Sequence, residues 1–260
     1  MRHLARLAAA ALLSAPLLEG DPAVAQPMTD SFDMMIAMPH GRDHRIALML
    51  VTPQPGRALP AVIVLPDELG LDGRTARLAE AMLMRGWVGI EVDPEPLSPD
   101  GAAVPPPPSP LRLGRMMRAL HEALQTDERI DPRRIAVVGL GPGGRAAVHA
   151  ALGDGRPGFA AHAALYPDCA ALAAEQEMPP EAPALLVLPG AEEREGACDG
   201  LGAKVQRMPG ATYGWDHMIA GGMRRWTKAG GTPIHPDWPT TQAAEEVLTG
   251  FLAEAFSRVR

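Results

Sequence analysis

A tight turn between a predicted strand and a predicted helix carries the clearest chemical pattern in the chain. The apolar run Ile135 to Val138 leads into the sequence GLGPG, Gly139 to Gly143, and an Ala-rich stretch follows. With a serine at its centre, the spacing G-x-S-x-G on such a strand–turn–helix exposes a nucleophile. Here Gly141 occupies that position, and Pro142 after it has no backbone N–H with which to stabilise an oxyanion. The sequence therefore predicts the frame of a nucleophilic site without its nucleophile.

The same turn permits a second interpretation. Gly139, Gly141 and Gly144 have the spacing G-x-G-x-x-G, which binds a dinucleotide when it links a strand to a helix. Asp168 follows the next predicted strand at about the distance of a ribose-binding acid. However, Pro142 removes an amide from the turn, and two strand–helix units precede it, whereas this motif normally opens its domain. Dinucleotide binding through these glycines is therefore the lesser alternative.

Alternating strands and helices must position this turn. Continuous apolar runs indicate buried strands, and apolar residues at helical spacing indicate amphipathic helices. Besides the strand before the turn, the sequence predicts strands over Phe32–Pro39, Arg45–Val51, Ala61–Leu65, Trp87–Val92, Ala160–Leu165, Ala184–Leu188 and Lys204–Met208. Besides the helix after the turn, it predicts helices over Arg74–Arg85, Arg112–Gln125 and Thr241–Arg258. This order predicts an α/β fold, with a mostly parallel sheet, helices on both faces and an opening antiparallel hairpin. The working loops are then expected at the carboxyl ends of the strands.

Composition and charge restrict the classes of partner. The chain has 260 residues, of which 47% are hydrophobic, and this suits one α/β domain with a substantial core. The net charge is −7 and no basic cluster stands out, which argues against a nucleic-acid partner. Pro105 to Pro108 predicts a rigid, extended loop whose role the sequence leaves open. No cofactor is predicted.

Residues 1–25 have the pattern of a signal peptide. Arg2 and Arg6 give a positive start, an apolar run too short to span a bilayer follows, and an A-x-A cleavage site ends at Ala25. We therefore expect an exported protein, periplasmic or secreted, with a single domain over residues 26–260. No membrane span is expected once the signal is removed.

The two cysteines, Cys169 and Cys198, each follow a predicted strand. In an oxidising compartment such a pair is expected to form a disulfide. Two separate buried thiols are the alternative.

Four blocks of the chain resemble the dienelactone hydrolase family of the α/β-hydrolase superfamily. Their order and spacing fit the family, and they are AVIVLPDELGLDG (Ala61 to Gly73), RIDPRRIAVVGLGPGG (Arg129 to Gly144), APALLVLPGAEE (Ala182 to Glu193) and MPGATYGWDH (Met208 to His217). The resemblance implies an α/β-hydrolase fold and the hydrolysis of esters or lactones by a Cys or Ser nucleophile, a His base and an Asp. It also implies a bridge between Cys169 and Cys198, since exported members have cysteines at these two places.

The family's site residues can be carried over position by position. The nucleophile falls on Gly141, the acid on Glu193, with Glu192 one residue away as the alternative, and the His base on Tyr213. Asp67 matches an acidic residue that some members have near the first strand end. A tyrosine ionises only near pH ~10, so it is a poor base at neutral pH. The sequence therefore predicts a member of the family that is inactive as an ester or lactone hydrolase.

The vacated cleft is predicted to bind a small molecule or a protein of unknown identity. Its candidate lining residues are Asp67, Glu68, Trp215 and His217. The alternative is a weak or atypical hydrolase, in which His217 activates a water in the space beside Gly141. A displaced nucleophile could also serve, the candidates being Ser98, Ser109 and Cys169.

Two further groups of residues contain metal-ligand types. They are His40, Asp43 and His44, and Asp216 and His217 with Glu192 or Glu193. Neither group has a spacing that fixes a metal in the way that H-E-x-x-H does, so no metal site is predicted.

Overall fold

The structure is a computed structural model that describes residues 27–38, 43–53, 56–95, 106–151, 158–175, 185–188, 198, 201–217, 226–227 and 233–259. In chain order its elements are β1 (Met28–Ile36), β2 (His44–Thr52), β3 (Leu59–Leu65), α1 (Gly73–Met84), β4 (Val88–Asp93), α2 (Pro110–Leu124), β5 (Ile130–Leu140), α3 (Gly141–Ala151), β6 (Ala161–Leu165), α4 (Cys169–Glu175), β7 (Leu185–Leu188), β8 (Lys204–Val205), β9 (Trp226–Thr227), β10 (Pro233–Ile234) and α5 (Trp238–Arg258).

One mixed sheet organises the described residues. Its strand order is β1-β2-β4-β3-β5-β6-β7-β8. The hairpin β1–β2 and the pair β2–β4 are antiparallel, and every other pair in this sheet is parallel. The predicted α/β class, with a mostly parallel sheet and an opening antiparallel hairpin, is therefore confirmed.

Helices cover both faces of the sheet, as predicted. In β3 every residue is buried, because alternate side chains enter opposite cores. Val62 and Val64 join the core formed with α1 and α5, whereas Ile63 joins the core formed with α2 and α3. The continuous apolar run in the sequence reflects this burial on two sides.

The predicted apolar stripe of α2 is confirmed, since all of its members are buried: Leu113, Met116, Met117, Leu120 and Leu124. Ser109 begins the helix, its hydroxyl accepting a hydrogen bond from the backbone N–H of Arg112 at 3.3 Å, and Pro110 occupies the first turn. In α1, Asp72 caps the helix and forms a reciprocal capping box with Thr75.

Several boundaries differ from those predicted. β1 begins at Met28 because polar residues before Phe32 pair with β2. β5 extends back to Ile130 and includes Pro132, where the pairing with β3 shifts its register, an irregularity that tolerates a proline. The last predicted strand is short, with only Lys204–Val205 paired.

A helix replaces a predicted loop after β6. Asp168 caps α4 by accepting a hydrogen bond from the N–H of Ala171 at 3.1 Å. At the start of this helix Cys169 forms a disulfide with Cys198, with a Cα–Cα distance of 5.2 Å. Both cysteines are buried beside Leu172 of α4, so the predicted bridge is confirmed.

Some expectations fall on residues that the structure does not describe. They concern the signal peptide, residues 1–25, and His40, Ser98, Glu192 and Glu193. Among the described residues, no helix is both long and apolar enough to cross a lipid bilayer.

Candidate functional site

The turn between β5 and α3 is as tight as its glycines indicate. A Cβ on Gly139 would collide with the carbonyl of Gly143, and a Cβ on Gly143 would collide with the carbonyl of Pro66. Gly141 has φ +49°, in the left-handed region that favours glycine. Strand and helix can approach this closely only because these positions have no side chains.

Tyr213 fills the space beside Gly141. A Cβ built on Gly141 would collide with the Tyr213 hydroxyl and would lie 3.2 Å from the Cβ of Asp67. Tyr213 is 3% exposed. The structure thus brings Gly141, Tyr213 and Asp67 together at the carboxyl end of the sheet, and a phenol stands where a nucleophilic side chain would begin.

The Tyr213 hydroxyl is held as a hydrogen-bond donor. It donates to Oε2 of Glu68 at 2.6 Å. Burial, the charge of Asp67 and the hydrogen bond to Glu68 together raise the pKa of Tyr213 well above its ordinary value of 10.0. At neutral pH this phenol is therefore protonated and cannot take a proton from water or substrate.

Asp67 belongs to a buried ion pair. Both Nη atoms of Arg74 donate to its carboxylate, at 2.5 and 2.7 Å, and the N–H of Leu69 donates to Oδ1 at 2.9 Å. Arg74 is 1% exposed and also contacts Asp72 at 2.9 Å. Although burial disfavours its charge, the hydrogen bonds to Asp67 and Asp72 hold the pKa of Arg74 above its ordinary value. Asp67 is thus fixed in place and positions the loop after β3.

Tyr166 and Asp216 extend the polar network around Asp67 and Arg74. The Tyr166 hydroxyl donates to Oδ1 of Asp216 at 2.8 Å and lies 3.4 Å from Nη1 of Arg74. Burial raises the pKa of Asp216, against the opposing charge of Arg74. The ring of Tyr166 packs edge-on against Tyr213 and Trp215, each with centroids 4.8 Å apart.

Sequence reasoning did not assign Arg74 or Tyr166 to the site. Arg74 is only the first residue of a predicted helix, and Tyr166 directly follows the predicted strand Ala160–Leu165. The available signal is their position after strands that neighbour β5: Tyr166 directly follows β6, and Arg74 begins the helix after β3. Their pairing with Asp67 and Asp216 depends on tertiary packing and has no sequence pattern.

The remaining predicted lining residues differ in exposure. Trp215 is 1% exposed, so its ring lies in the core against Tyr166. Glu68 is exposed, although its Oε2 accepts the hydrogen bond from Tyr213. His217 is half-buried, and burial lowers its pKa, assisted by the charge of Arg74. The side-chain atoms nearest the Gly141 Cβ position belong to Tyr213 and Asp67, not to His217.

The displaced nucleophiles have structural roles where they are described. Ser109 caps α2, and Cys169 is bonded to Cys198. Ser98 lies outside the described residues.

The geometry argues against a dinucleotide at the glycine turn. A Cβ on Gly144 would lie 3.0 Å from the carbonyl of Gly139, and the space beside Gly141 holds Tyr213. Asp168 caps α4 and lies 3.8 Å from Arg145. Protein atoms thus occupy the space in which a pyrophosphate would have to contact the backbone of the turn.

The candidate metal ligands are used elsewhere in the part of the chain that is described. Nε2 of His44 lies 2.7 Å from the carbonyl of Pro94, and Asp43 accepts a hydrogen bond from the N–H of Met38 at 3.4 Å. Within those residues no three His, Cys, Asp or Glu side chains cluster as metal ligands would.

Solved structures share this architecture over most of both chains. A dienelactone hydrolase-like promiscuous phosphotriesterase from metagenomic libraries superposes with a TM-score of 0.61 at 15% identity, over 87% of this chain and 98% of its own. The chain has the α/β-hydrolase fold. A carboxylesterase from Lactobacillus plantarum gives 0.58 at 14% identity, over 87% and 98%. A fungal esterase from Rhizomucor miehei gives 0.59 at 14% identity, over 91% and 87%.

No sequence-family model and no curated protein matches the chain. The solved structures confirm the predicted resemblance to dienelactone hydrolases at the level of the fold. In an α/β-hydrolase the nucleophile lies on a strand–turn–helix, and Gly141 lies on such a turn, between β5 and α3.

Proposed function

We propose that this protein is a non-catalytic, dienelactone hydrolase-like member of the α/β-hydrolase superfamily that binds a small ligand or a protein in its former active-site cleft. One observation carries the proposal. The nucleophile position is Gly141, and the Tyr213 hydroxyl occupies the volume that a nucleophilic side chain would need.

Known magnitudes make hydrolysis by the usual route negligible. Losing the nucleophile of a serine protease costs on the order of 10⁶ in kcat. Removing an oxyanion donor costs a further ~10²–10³, and the residue that would supply this donor is Pro142. The protonated Tyr213 cannot substitute as a base. These defects are chemically independent and act in the same direction.

The mouth of the cleft offers a mixed surface to a ligand. Glu68 is exposed and carries the acceptor for Tyr213, while Leu69 and Leu71 on the same loop are 40% and 38% exposed. A carboxylate at this position disfavours anionic ligands. We infer a ligand with an apolar portion and a hydrogen-bond donor directed at Glu68.

The proposed location is outside the cytoplasm, periplasmic or secreted. The disulfide between Cys169 and Cys198 supports this location, because disulfides persist in oxidising compartments. Loss of secretion after deletion of residues 1–25 tests this part of the proposal.

The decisive experiment compares the natural protein with a repaired variant. Residues 26–260 are assayed with a p-nitrophenyl ester and a dienelactone, beside the triple variant Gly141→Ser, Pro142→Ala, Tyr213→His. We expect no turnover above the buffer rate for the natural protein. Any gain of turnover in the variant would identify the natural protein as a hydrolase scaffold that lacks the catalytic residues. Robust turnover by the natural protein would instead refute the proposal.

A second candidate is hydrolysis by a water that His217 activates. The lowered pKa of His217 favours it, because a neutral imidazole is the form that accepts a proton. If the natural protein turns over an ester, replacement His217→Gln decides between this route and a displaced nucleophile. Unchanged turnover in that variant would exclude His217.

A further inference from the structure

A cavity lies at the amino ends of the central strands, on the edge of the sheet opposite the cleft. Its volume is about 220 Å³, and its lining residues are Arg57, Ala58, Leu59, Pro60, Arg85, Gly86, Trp87 and Arg134. The strands that begin there are neighbours, since Ala61 pairs with both Val88 of β4 and Ile135 of β5. From Arg134 to the end of β5 the strand runs roughly 20 Å, so the cavity and the cleft are separate.

Three arginines line this cavity, and among the described residues no Asp or Glu lines it. They come from three different places in the chain: Arg57 precedes β3, Arg85 ends α1 and Arg134 lies in β5. Such a convergence is unexpected in a protein whose net charge is −7. Like charges at one cavity repel one another, and an anion between them removes that repulsion.

The contacts of the three arginines differ. Among the described residues, no carboxylate lies within ion-pair distance of Arg57, which is exposed. Arg85 donates to Oγ1 of Thr249 at 2.8 Å, beside a second cavity that Glu80, Glu245 and Glu246 line. Arg134 uses its Nε to contact Asp131 at 2.7 Å, which leaves its terminal Nη groups for other acceptors.

We propose that this cavity is a binding site for a phosphate-type oxyanion, free or as the terminal group of a small organic molecule. Guanidinium groups donate paired, directed hydrogen bonds that match phosphate oxygens. The volume accommodates a phosphate group and a few further atoms. Trp87, which is 9% exposed, and Leu59 supply an apolar wall for an organic portion.

Calorimetric titration of inorganic phosphate into the full chain at low ionic strength tests the site. We expect saturable one-to-one binding that Arg57→Gln weakens by about tenfold or more, which corresponds to about 1.4 kcal/mol. The matched control is Arg133→Gln, which makes the same charge change beside Arg134 at a position that does not line the cavity. We expect its affinity to stay within about twofold of the natural protein, the size of a surface-charge effect.

A second variant keeps the three arginines and changes the electrostatic potential in the cavity. Ala58→Asp places a carboxylate at the exposed rim of the cavity, and we expect it to abolish phosphate binding without loss of fold, as judged by circular dichroism. Absence of saturable binding in the natural protein, or equal weakening by Arg57→Gln and Arg133→Gln, would overturn the proposal.

Phenyl phosphate distinguishes the two sources of the anion. Tighter binding of phenyl phosphate than of inorganic phosphate assigns a phosphate ester, whose organic portion contacts Trp87. Equal or weaker binding assigns the free anion.

Discussion

At the scale of single residues, Gly141 and Tyr213 depend on each other. Gly141 adopts φ +49° with its α-hydrogen facing the Tyr213 hydroxyl, and any side chain there would need the volume that the phenol occupies. A nucleophile at position 141 and a tyrosine at position 213 are therefore sterically incompatible. Under the proposed function, we therefore expect Gly141→Ser alone to give no working site.

We expect Gly141→Ala to lower the free energy of unfolding by about 2–4 kcal/mol, from left-handed backbone strain and overpacking. In a Tyr213→Phe background the cost should fall, because the hydroxyl is the atom that the new Cβ meets first. Urea denaturation of the four proteins measures this coupling. Gly250→Ala is the control, an exposed position in α5 with open space around it, where alanine should stabilise by about 0.5–1 kcal/mol.

We expect Glu91 to make the free energy of unfolding depend on pH. It is 2% exposed in β4, and burial raises its pKa above 4.5, assisted by the charge of Asp72 and opposed by a hydrogen bond with Thr75. A raised folded-state pKa means that its stabilising contribution is present below the unfolded pKa and is lost as pH rises through the folded value. We expect Glu91→Gln to be more stable than the natural protein at pH 8, with this advantage absent at pH 4.

Thermal unfolding across this pH range checks the Glu91 prediction. Glu80→Gln, at an exposed position on α1, is the matched control and should leave the pH profile unchanged. An identical profile for the Glu91→Gln variant and the natural protein would contradict the argument.

At the scale of elements, α4 is held by its disulfide and by polar contacts to α3. The bridge joins residues 29 positions apart, and Glu175 at the end of α4 contacts Nε2 of His149 at 3.0 Å. A seven-residue helix is too short to be stable alone, so these tethers fix it against the sheet.

Replacement of both cysteines, Cys169→Ala with Cys198→Ala, should lower the free energy of unfolding by about 3–4 kcal/mol, from the loop entropy restored to the unfolded chain. Guanidinium denaturation measures the loss. The natural protein with dithiothreitol should show the same loss, and a double variant as stable as the oxidised protein would contradict the prediction.

Periodicity predicted the elements that bury their own apolar residues. The stripe of α2 and the run of β3 could be identified because burial dictates their residue types. Periodicity could not identify α4, because a disulfide and an Asp168 cap hold it. Nor could it identify the first residues of β1, which are held by pairing with β2. The contact between Gly141 and Tyr213 followed from no local pattern, although both residues lay in the blocks that indicated the site.

At the scale of the whole molecule, the eight-stranded sheet separates the two largest apolar cores of the described residues. Leu252 of α5 packs in one core and Leu120 of α2 in the other, and both are fully buried. Because β3 and its neighbours contribute to both cores, neither core can form without the sheet. The molecule is therefore expected to unfold as one unit.

We expect Leu120→Ala and Leu252→Ala each to cost about 2–5 kcal/mol. In the double variant the costs should add to within about 0.5 kcal/mol, since the two sites share no partner. Fluorescence and far-ultraviolet circular dichroism should report one coincident transition in each protein. Separate transitions would instead indicate two domains.

The glycine at the turn also determines how this protein will appear in chemical proteomics. Fluorophosphonate reagents detect hydrolases by bonding covalently to an activated serine, and the residues of the turn, Gly139 to Gly143, have no side-chain hydroxyl. We expect the protein to stay unlabelled at any reagent concentration that spares ordinary surface hydroxyls. A survey of an organism's esterases by such labelling would omit it, whereas a survey by shape would count it among them.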